Sequence, residues 1–430
     1  MTRTKKIFPV QNPTRFKRQL LHFAAGYSHA FYLDGNEASD GSWDCLVGLG
    51  THALIQLDAG DAFNQLRAWQ AEHTDWLFGF FSYDLKNEVE QLKSKNFDGV
   101  QLPEMGFFVP ELVCGIRNDA LEVYALEADM DAVFSAISTL QLTESESWEV
   151  MPCPEIRPRL SDQAYLDAVR AIQNHIVEGD VYEMNLCREY FCEGTAINPL
   201  QVFERLNARS RAPFTCYMQW GGHFLLSASP ERFLKKTGDQ LLTQPIKGTR
   251  KRGLTQLEDE AIMNDLKTSE KDRAENVMIV DLVRNDLAKN CIPGTVRVDE
   301  LFGIYTFPTV HQMISSVRGQ LRPDVNAIDA IRDAFPMGSM TGAPKVMAME
   351  LIEQYEQSKR GLYSGAVGYF TPDGDFDFNV VIRSILYNAN SQYTSFQVGG
   401  AIVYDSVPEL ELEECAIKAQ ALVDALQADC

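Results

Sequence analysis

The sequence holds no run of eighteen or more apolar residues, so no segment is expected to cross a membrane as a helix. Positive charge is scarce: 39 Lys and Arg stand against 60 Asp and Glu, for a net charge of −21. A nucleic-acid backbone demands a basic surface, so nucleic acid is excluded as a partner. An anionic small molecule has to be held by local cations or a metal ion against the overall field. The nine cysteines are scattered and form no C-x-x-C pair. Neither a disulfide framework nor a zinc site follows, and the expectation is reduced, mostly buried thiols in a cytoplasmic protein. The start is basic, Met1-Thr2-Arg3-Thr4-Lys5-Lys6, but no apolar stretch with a small-residue cleavage site follows it, so a secretion leader is not expected. Internal repeats and low-complexity tracts are missing too.

What is present is the composition of a globular protein. The chain has 430 residues, 45% apolar and 23% charged, enough for one large domain or two to three ordinary ones. The polar run 143–149, followed by Pro152, Pro154 and Pro158, is the best linker candidate. It divides an N-terminal region, 1–150, from a second region, 155–430. Before it, β-like runs over 76–83, 107–116 and 121–126 mix with a helix-like segment over 60–71. After it, Ser161 is placed to cap a helix with Leu166, Val169, Ile172 and Ile176 at helical spacing, and Gly179 to end it. Strand-like runs follow at 214–219 and 224–228, then one long helix over 257–287. Runs at 365–370, 378–387 and 394–404 suit antiparallel pairing, and Pro408 opens a last helix reaching about Gln427. The pattern predicts an α+β fold with substantial sheet covered by helices.

Several groups are candidates for chemistry. In the last helix Glu411, Glu414 and Lys418 fall at i, i+3 and i+7 on one stripe. Asp272 and Glu275 share the i, i+3 spacing within the long helix. Each set alone reads first as a solvated charged face. Together, two helices that each present a carboxylate suit magnesium, which takes few protein carboxylates and keeps water or substrate oxygens. Arg383 is expected on a strand, pointing away from Ile382 and Ser384, as a bidentate grip for a carboxylate. Gly399-Gly400-Ala401 inside a β-run marks either a bulge or a place where backbone N–H groups approach an anion. Residues 336–345 read as a loop of small donors leading into a helix, without Walker A spacing. Lys247, between Pro245-Ile246 and Gly248-Thr249, is by itself a loop cation. As a nucleophile it has to lose its proton, which Arg250, Lys251 and Arg252 nearby favour. Glu231, in Ser229-Pro230-Glu231-Arg232, becomes a general acid if it is desolvated.

Together these segments resemble the chorismate-utilising family of anthranilate, aminodeoxychorismate, isochorismate and salicylate synthases. The matching text is Gly179-Asp180-Val181-Tyr182, Ser229-Pro230-Glu231-Arg232, 245–250, 275–286, Gly342-Ala343-Pro344-Lys345 and 399–406, in the family's order across 163–426. Gly79-Phe80-Phe81-Ser82-Tyr83-Asp84-Leu85 resembles the extra N-terminal region of anthranilate and aminodeoxychorismate synthase large subunits. The resemblance implies a single fold, two large antiparallel β-sheets packed in the centre with helices outside, with the regions 1–150 and 155–430 folded into one αβ body. It implies chorismate as substrate and Mg2+ as cofactor, held by Glu275 and Glu414, with Asp272 and Glu411 acting through water. Arg383, Tyr369, Lys418 and the backbone of Gly399, Gly400 and Ala401 are implied to hold the carboxylates. Thr341 and His311 are implied beside the ring, and Thr249 beside Lys247 as a further substrate contact.

Lysine at position 247, where anthranilate synthases carry alanine, resembles the aminodeoxychorismate synthase branch, which serves 4-aminobenzoate and folate synthesis. In that branch the lysine attacks C2 of the ring, the 4-hydroxyl leaves with a proton from Glu231, and ammonia adds at C4. Glu183 stands where amidotransferase-linked members usually have glutamine, and isochorismate and salicylate synthases lysine. It is expected either to hydrogen-bond incoming ammonia or to be an inert contact. The sequence shows no Gly-x-Cys-x-Gly nucleophile setting, so ammonia is expected from a partner glutaminase subunit of the class I amidotransferase type or from solution. The alternatives are an anthranilate synthase with an incidental lysine, and a catalytically silent partner-binding subunit. Phe31-Tyr32-Leu33-Asp34-Gly35-Asn36 does not match the tryptophan-binding segment of anthranilate synthases, so feedback by tryptophan is not expected.

Overall fold

In the strand Leu77–Phe81 the side chains alternate, yet every position is buried. Leu77 and Phe81 pack in one apolar cluster and Phe78 and Phe80 in another. A strand that is apolar on both faces is stable only between two layers. The computed structural model, which describes residues 3–36, 43–142 and 155–427, supplies those layers. Among the described residues, two sheets of twelve and ten strands are built from antiparallel ladders. Phe31, Met218, Trp220 and Leu225 from the first sheet meet Phe78, Phe80, Phe108 and Val367 from the second. Phe80 and Trp220 form an edge-to-face pair across that interface, their ring centroids 5.2 Å apart.

The outer face of the first sheet is covered by the helices Pro13–Ala24, Asp162–Glu178, Pro199–Ser210 and Pro408–Leu426, through residues such as Leu20, Ile172, Phe203 and Leu422. The outer face of the second is covered by Ala62–Glu72, Glu270–Ala288 and Ala327–Ala334, through Phe63, Ile279 and Ile331. The architecture is therefore helix, sheet, sheet, helix, as the α+β expectation required. Both sheets mix the two regions of the chain. His29–Asp34 pairs with Phe214–Trp220, and Leu77–Phe81 pairs with Ala366–Phe370. The linker candidate over 143–154 lies outside the described residues. Among the described residues no helix is long and apolar enough to cross a membrane.

Three expected elements are each two elements. The run 107–116 divides into Met105–Val109 and Leu112–Arg117, which belong to different sheets. Pro110, with no N–H for a ladder, sits at the break. The helix over 257–287 divides into Gln256–Thr268 and Glu270–Ala288. Ser269 is extended there, and its side chain accepts from Asp272 N at 3.3 Å, capping the second helix. The run 378–387 divides into Phe376–Asn379 in one sheet and Ser384–Asn388 in the other. Arg383 is therefore not within a strand. It lies at the crossover, in a left-handed conformation with φ +52°. The expected helix from Ser161 to Gly179 is found as Asp162–Glu178, with Ser161 accepting from Ala164 N and Gly179 at φ +88°.

Candidate active site

Lys247 lies on the strand Ile246–Lys251, whose ladder with Val310–Gln320 shifts register between Ile246 and Thr249. Gly248 is left-handed there, at φ +89°. Such an irregularity breaks the alternation of side chains along a strand, and Lys247 lies within it. Its Nζ stands 3.7 Å from Glu183 Oε2 and 4.0 Å from Glu275 Oε2, with only 11% of the side chain exposed. The strand beneath is kept close to the helix Glu270–Ala288 by Arg250, which pairs with Asp272 at 2.8 Å. Thr249 is half-buried and pairs in the ladder with Gln312.

Glu183 opens the strand Glu183–Glu193 and is paired there with Ala343. It is 2% exposed, and its Oε2 has no hydrogen-bond partner among the described residues. Glu231 follows the strand His223–Ser229 and is buried. Burial pushes its carboxyl up to about 7, against the pull of a hydrogen bond from Ser339 and the charge of Lys247. Ser339 Oγ donates to Glu231 Oε1 at 2.7 Å. A lysine is thus surrounded by three acids of unequal character. One is able to carry a proton at neutral pH, one has an oxygen without a hydrogen bond among the described residues, and one belongs to the acidic helix.

The second acidic helix, Pro408–Leu426, brings Glu411, Glu414 and Lys418 beneath the strand Tyr393–Ile402. Lys418 Nζ donates to Gly399 O at 2.7 Å and pairs with Glu414 at 2.6 Å. A Cβ on Gly400 would lie 3.1 Å from Glu411 Oε2, so the missing side chain eases the approach of that acid to the backbone, and 3.6 Å from Glu414 Oε1, an ordinary contact. Burial raises the Glu411 carboxyl, while Ser406 donates to it at 2.7 Å. Burial works the same way on Glu414, but Lys418 outweighs it and holds that carboxyl below its ordinary range. Burial also raises Glu275, with Lys247 and Lys271 opposing. Lys271 acts on Glu275, Glu411 and Glu414 alike, so the two acidic helices share one cationic neighbour.

These carboxylates fit a hard cation by donor type, and the ammonium of Lys271, 3.9 Å from Glu275, marks where positive charge is accepted. They do not form a closed cage. Among the described residues the one group of three metal-type ligand atoms within 4.8 Å is His175, Glu178 and Asp180, at the end of the helix Asp162–Glu178. An open set of this kind agrees with magnesium, which needs few protein ligands.

Arg383 flanks the same place. The ladder of Ser384–Asn388 with Tyr393–Ile402 ends at Ile385 and Phe396, so residues 398–401 continue past it on that edge. On the other edge Gly399, Gly400 and Ala401 pair with Cys187, Leu186 and Asn185. Burial lowers the hold of Arg383 on its proton, and the charges of Tyr363 and Glu414 act against that effect. A guanidinium and an open strand edge stand side by side, as carboxylate recognition requires.

Three expected contacts are placed differently. Tyr369 does not reach this cleft. It shares a strand face with Val367, packs near Trp76 and Phe78, and lines a separate cavity with Asp34, Trp43 and Asn379. Tyr363, in the turn before that strand, is the tyrosine that acts electrostatically on Arg383. His311 is 1% exposed, and both ring nitrogens are engaged, by Asp259 and by the Thr306 hydroxyl, each at 2.9 Å. Thr341 is fully buried, and its hydroxyl donates to the carbonyls of Met337 and Gly338. It shapes the loop, and through its carbonyl it accepts from Asn185 N at 2.7 Å. Ser339 and Tyr363 were not among the expected residues. A hydroxyl three residues before Gly342, and a tyrosine in a turn rather than on a two-sided buried strand, are the signals that would have singled them out.

Residues 21–424 match the family described as chorismate binding enzyme. An aminodeoxychorismate synthase of Streptomyces pristinaespiralis is 44% identical over 278 residues, which cover 64% of this chain and 38% of that protein. The chain thus spans well under half the length of that relative. Aminodeoxychorismate synthase component 1 of Bacillus subtilis is 34% identical over 362 residues, covering 81% of this chain and 76% of that one. Among solved structures, anthranilate synthase component I from Streptococcus pneumoniae superposes with a TM-score of 0.77 at 24% identity, over 90% of this chain and 93% of that one, which shows a shared fold. With motifs, fold and family match in agreement over nearly the whole chain, it belongs to the chorismate binding enzyme family.

Proposed function

We propose that the chain is an aminodeoxychorismate synthase, a transferase that converts chorismate and ammonia to 4-amino-4-deoxychorismate. The observation that carries this reading is Lys247, in the irregular part of its strand and set between Glu183 and Glu275, with the charge of Lys247 also felt by Glu231. In the proposed course the Lys247 amine forms a bond to C2 of the ring. The two ring double bonds shift and the C4–O bond breaks. Glu231, whose carboxyl keeps a proton up to about 7, gives that proton to the departing oxygen, which leaves as water. Ammonia then adds at C4, the double bonds shift back and Lys247 is expelled from C2. Glu183 Oε2, without a hydrogen-bond partner, is the acceptor for ammonia as it arrives. Direct amination at C2 would lead towards anthranilate, so occupation of C2 by the lysine is what sends nitrogen to C4.

Arg383, Tyr363, Lys418 and the backbone of Gly399, Gly400 and Ala401 hold the carboxylates in this reading. Glu275 and Glu414 would hold Mg2+, with Asp272 and Glu411 behind them. When bound, the metal supplies neutralisation of the ring carboxylate's charge. Ammonia is supplied by a partner glutaminase of the class I amidotransferase type. In support, the seven cysteines among the described residues are all buried, so none of these offers an exposed thiol for glutamine hydrolysis.

The test is incubation of the protein with chorismate, magnesium chloride and an ammonium salt, with the product identified by mass, for wild type and Lys247→Ala. Aminodeoxychorismate from the wild type and none from the variant is the expected result. Fluorescent anthranilate from the wild type, or aminodeoxychorismate from the variant at an undiminished rate, overturns it.

A further inference from the structure

Arg360 and Glu356 form an ion pair in which neither side chain is more than 4% exposed. Arg360 Nε and one terminal nitrogen donate to the two Glu356 oxygens at 2.9 and 2.6 Å. Its other N–H groups donate to Met340 O at 2.6 Å, Asn185 O at 3.0 Å and Ser364 Oγ at 3.3 Å. The Glu356 Oε1 atom also accepts from Cys187 N at 2.8 Å. Two of the five N–H donors of one guanidinium thus hold Glu356, and the other three reach three separate segments. Asn185 and Cys187 follow Glu183 on its strand. Met340 lies between Ser339 and Thr341. Ser364 adjoins Tyr363.

The segments are also tied to one another at this point. Asn185 N donates to Thr341 O at 2.7 Å, and its side chain donates to Ser339 O at 3.1 Å. Ser339 in turn donates to Glu231. Beneath the guanidinium lies the ring of Tyr83, 4.7 Å from it, and Asp84 accepts from Gly361 N at 2.9 Å. A buried ion pair by itself is weak evidence for stability, since its desolvation offsets much of its attraction. Its connections are what single this pair out, because each leads to a segment that carries a site residue.

We propose that Arg360, held by Glu356, is the positioning residue of this site: it fixes the strand of Glu183 against the loop of Ser339, and through Ser339 it orients Glu231. The proposal rests on the reading of the chain as an aminodeoxychorismate synthase. Arg360 is placed away from the substrate: of the residues proposed to grip the carboxylates, Arg383, Lys418 and 399–401 are not among its hydrogen-bond partners, and Tyr363 is reached only through its neighbour Ser364. Its loss therefore acts on turnover rather than on chorismate binding.

The experiment measures kcat and KM for chorismate, with magnesium and ammonium salts, in wild type, Arg360→Lys, Ser339→Ala and the double variant. Circular dichroism supplies the folded fraction of each. Lysine keeps the charge but cannot bridge three segments with one planar fork. The expected result is a loss of about a hundred-fold in kcat for Arg360→Lys, with KM changed by less than about three-fold. Because both residues act through one chain of hydrogen bonds, the double variant should fall little below the lower single variant. Should Arg360→Lys fail to fold, Glu356→Gln, which keeps the volume and an acceptor for Cys187, takes its place. An unchanged kcat per folded molecule, or losses that multiply in the double variant, overturns the proposal while the parent reading stands. An inert wild type overturns both.

Discussion

A carboxyl group buried without a full countercharge gives up its proton late, and at Glu231 that delay is the source of its proposed use. Its value near 7 leaves it protonated below neutrality and charged above. A general acid works only while protonated, so kcat should fall as pH rises through about 7. Glu231→Gln should lose about a hundred-fold or more and abolish that limb of the profile. The same shift has a consequence for stability with a fixed sign. The folded pKa lies above the unfolded one, so the folded state holds the extra proton between about 4.5 and 7, and stability falls as pH rises across that window. The full shift corresponds to about 3 kcal/mol. Glu231→Gln should therefore raise the Tm at pH about 8 and leave it unchanged at pH about 4. A variant with an unaltered pH–rate profile would remove Glu231 from the reaction. Glu183 calls for a different measurement, because its role concerns nitrogen. Glu183→Gln keeps the volume and removes the charge beside Lys247. It should lower the rate at limiting ammonium while chorismate KM holds, and an unchanged ammonia-dependent rate makes the residue an inert contact.

At the scale of elements, Lys247 sits in the irregularity of its strand beside Gly248. The Gly248 φ of +89° is strained for any residue with a side chain, and a Cβ there would stand 2.9 Å from Asp272 Oδ1. Gly248→Ala should cost about 1–3 kcal/mol and displace Lys247, so kcat should drop more than the loss of folded protein explains. Full activity with a lowered Tm alone would separate the irregularity from the chemistry. These elements also show where the sequence was readable. The helix Asp162–Glu178 carried its cap, its apolar spacing and its glycine stop in the text, and its ends were legible. The pairs Asp272 and Glu275, and Glu411 and Glu414, were legible for the same reason, since helical spacing is local. The break at Ser269, the crossover at Arg383 and the strands over 183–193 and 297–320 were not legible. Their side chains are mixed, and their pairing partners lie far along the chain, so tertiary contacts overrode local pattern. Tyr369 was expected at the site through the resemblance, and local pattern did not show its face. Only the first sheet, packed over Val367 and Tyr369, shows which face of that strand is covered.

At the scale of the whole molecule, the two regions recognisable in the sequence are not separable bodies in the sheets. His29–Asp34 inserts beside Phe214–Trp220, and Leu77–Phe81 beside Ala366–Phe370. A fragment of residues 155–430 would therefore expose the edges of both sheets. It would also uncover Met218, Trp220, Leu225 and Val367, which pack in one cluster with Phe31, Phe78, Phe80 and Phe108 from the N-terminal region. Each uncovered large side chain forfeits about 1.5–3 kcal/mol of burial, and the net stability of a domain is only about 5–15 kcal/mol. Open edges flanked by apolar faces also pair between molecules. The fragment should accumulate as aggregate and lack the near-ultraviolet dichroism of the full chain, even though it holds Lys247, Glu231, Arg383 and both acidic helices. The N-terminal region reaches the site as well, through Tyr83 and Asp84 against Arg360 and Gly361. Restoring solubility with a fused carrier should accordingly not restore turnover. A monomeric fragment with a cooperative melt and measurable conversion of chorismate would show that the second region folds and works alone, and that the shared sheets are an accretion rather than the frame of the site.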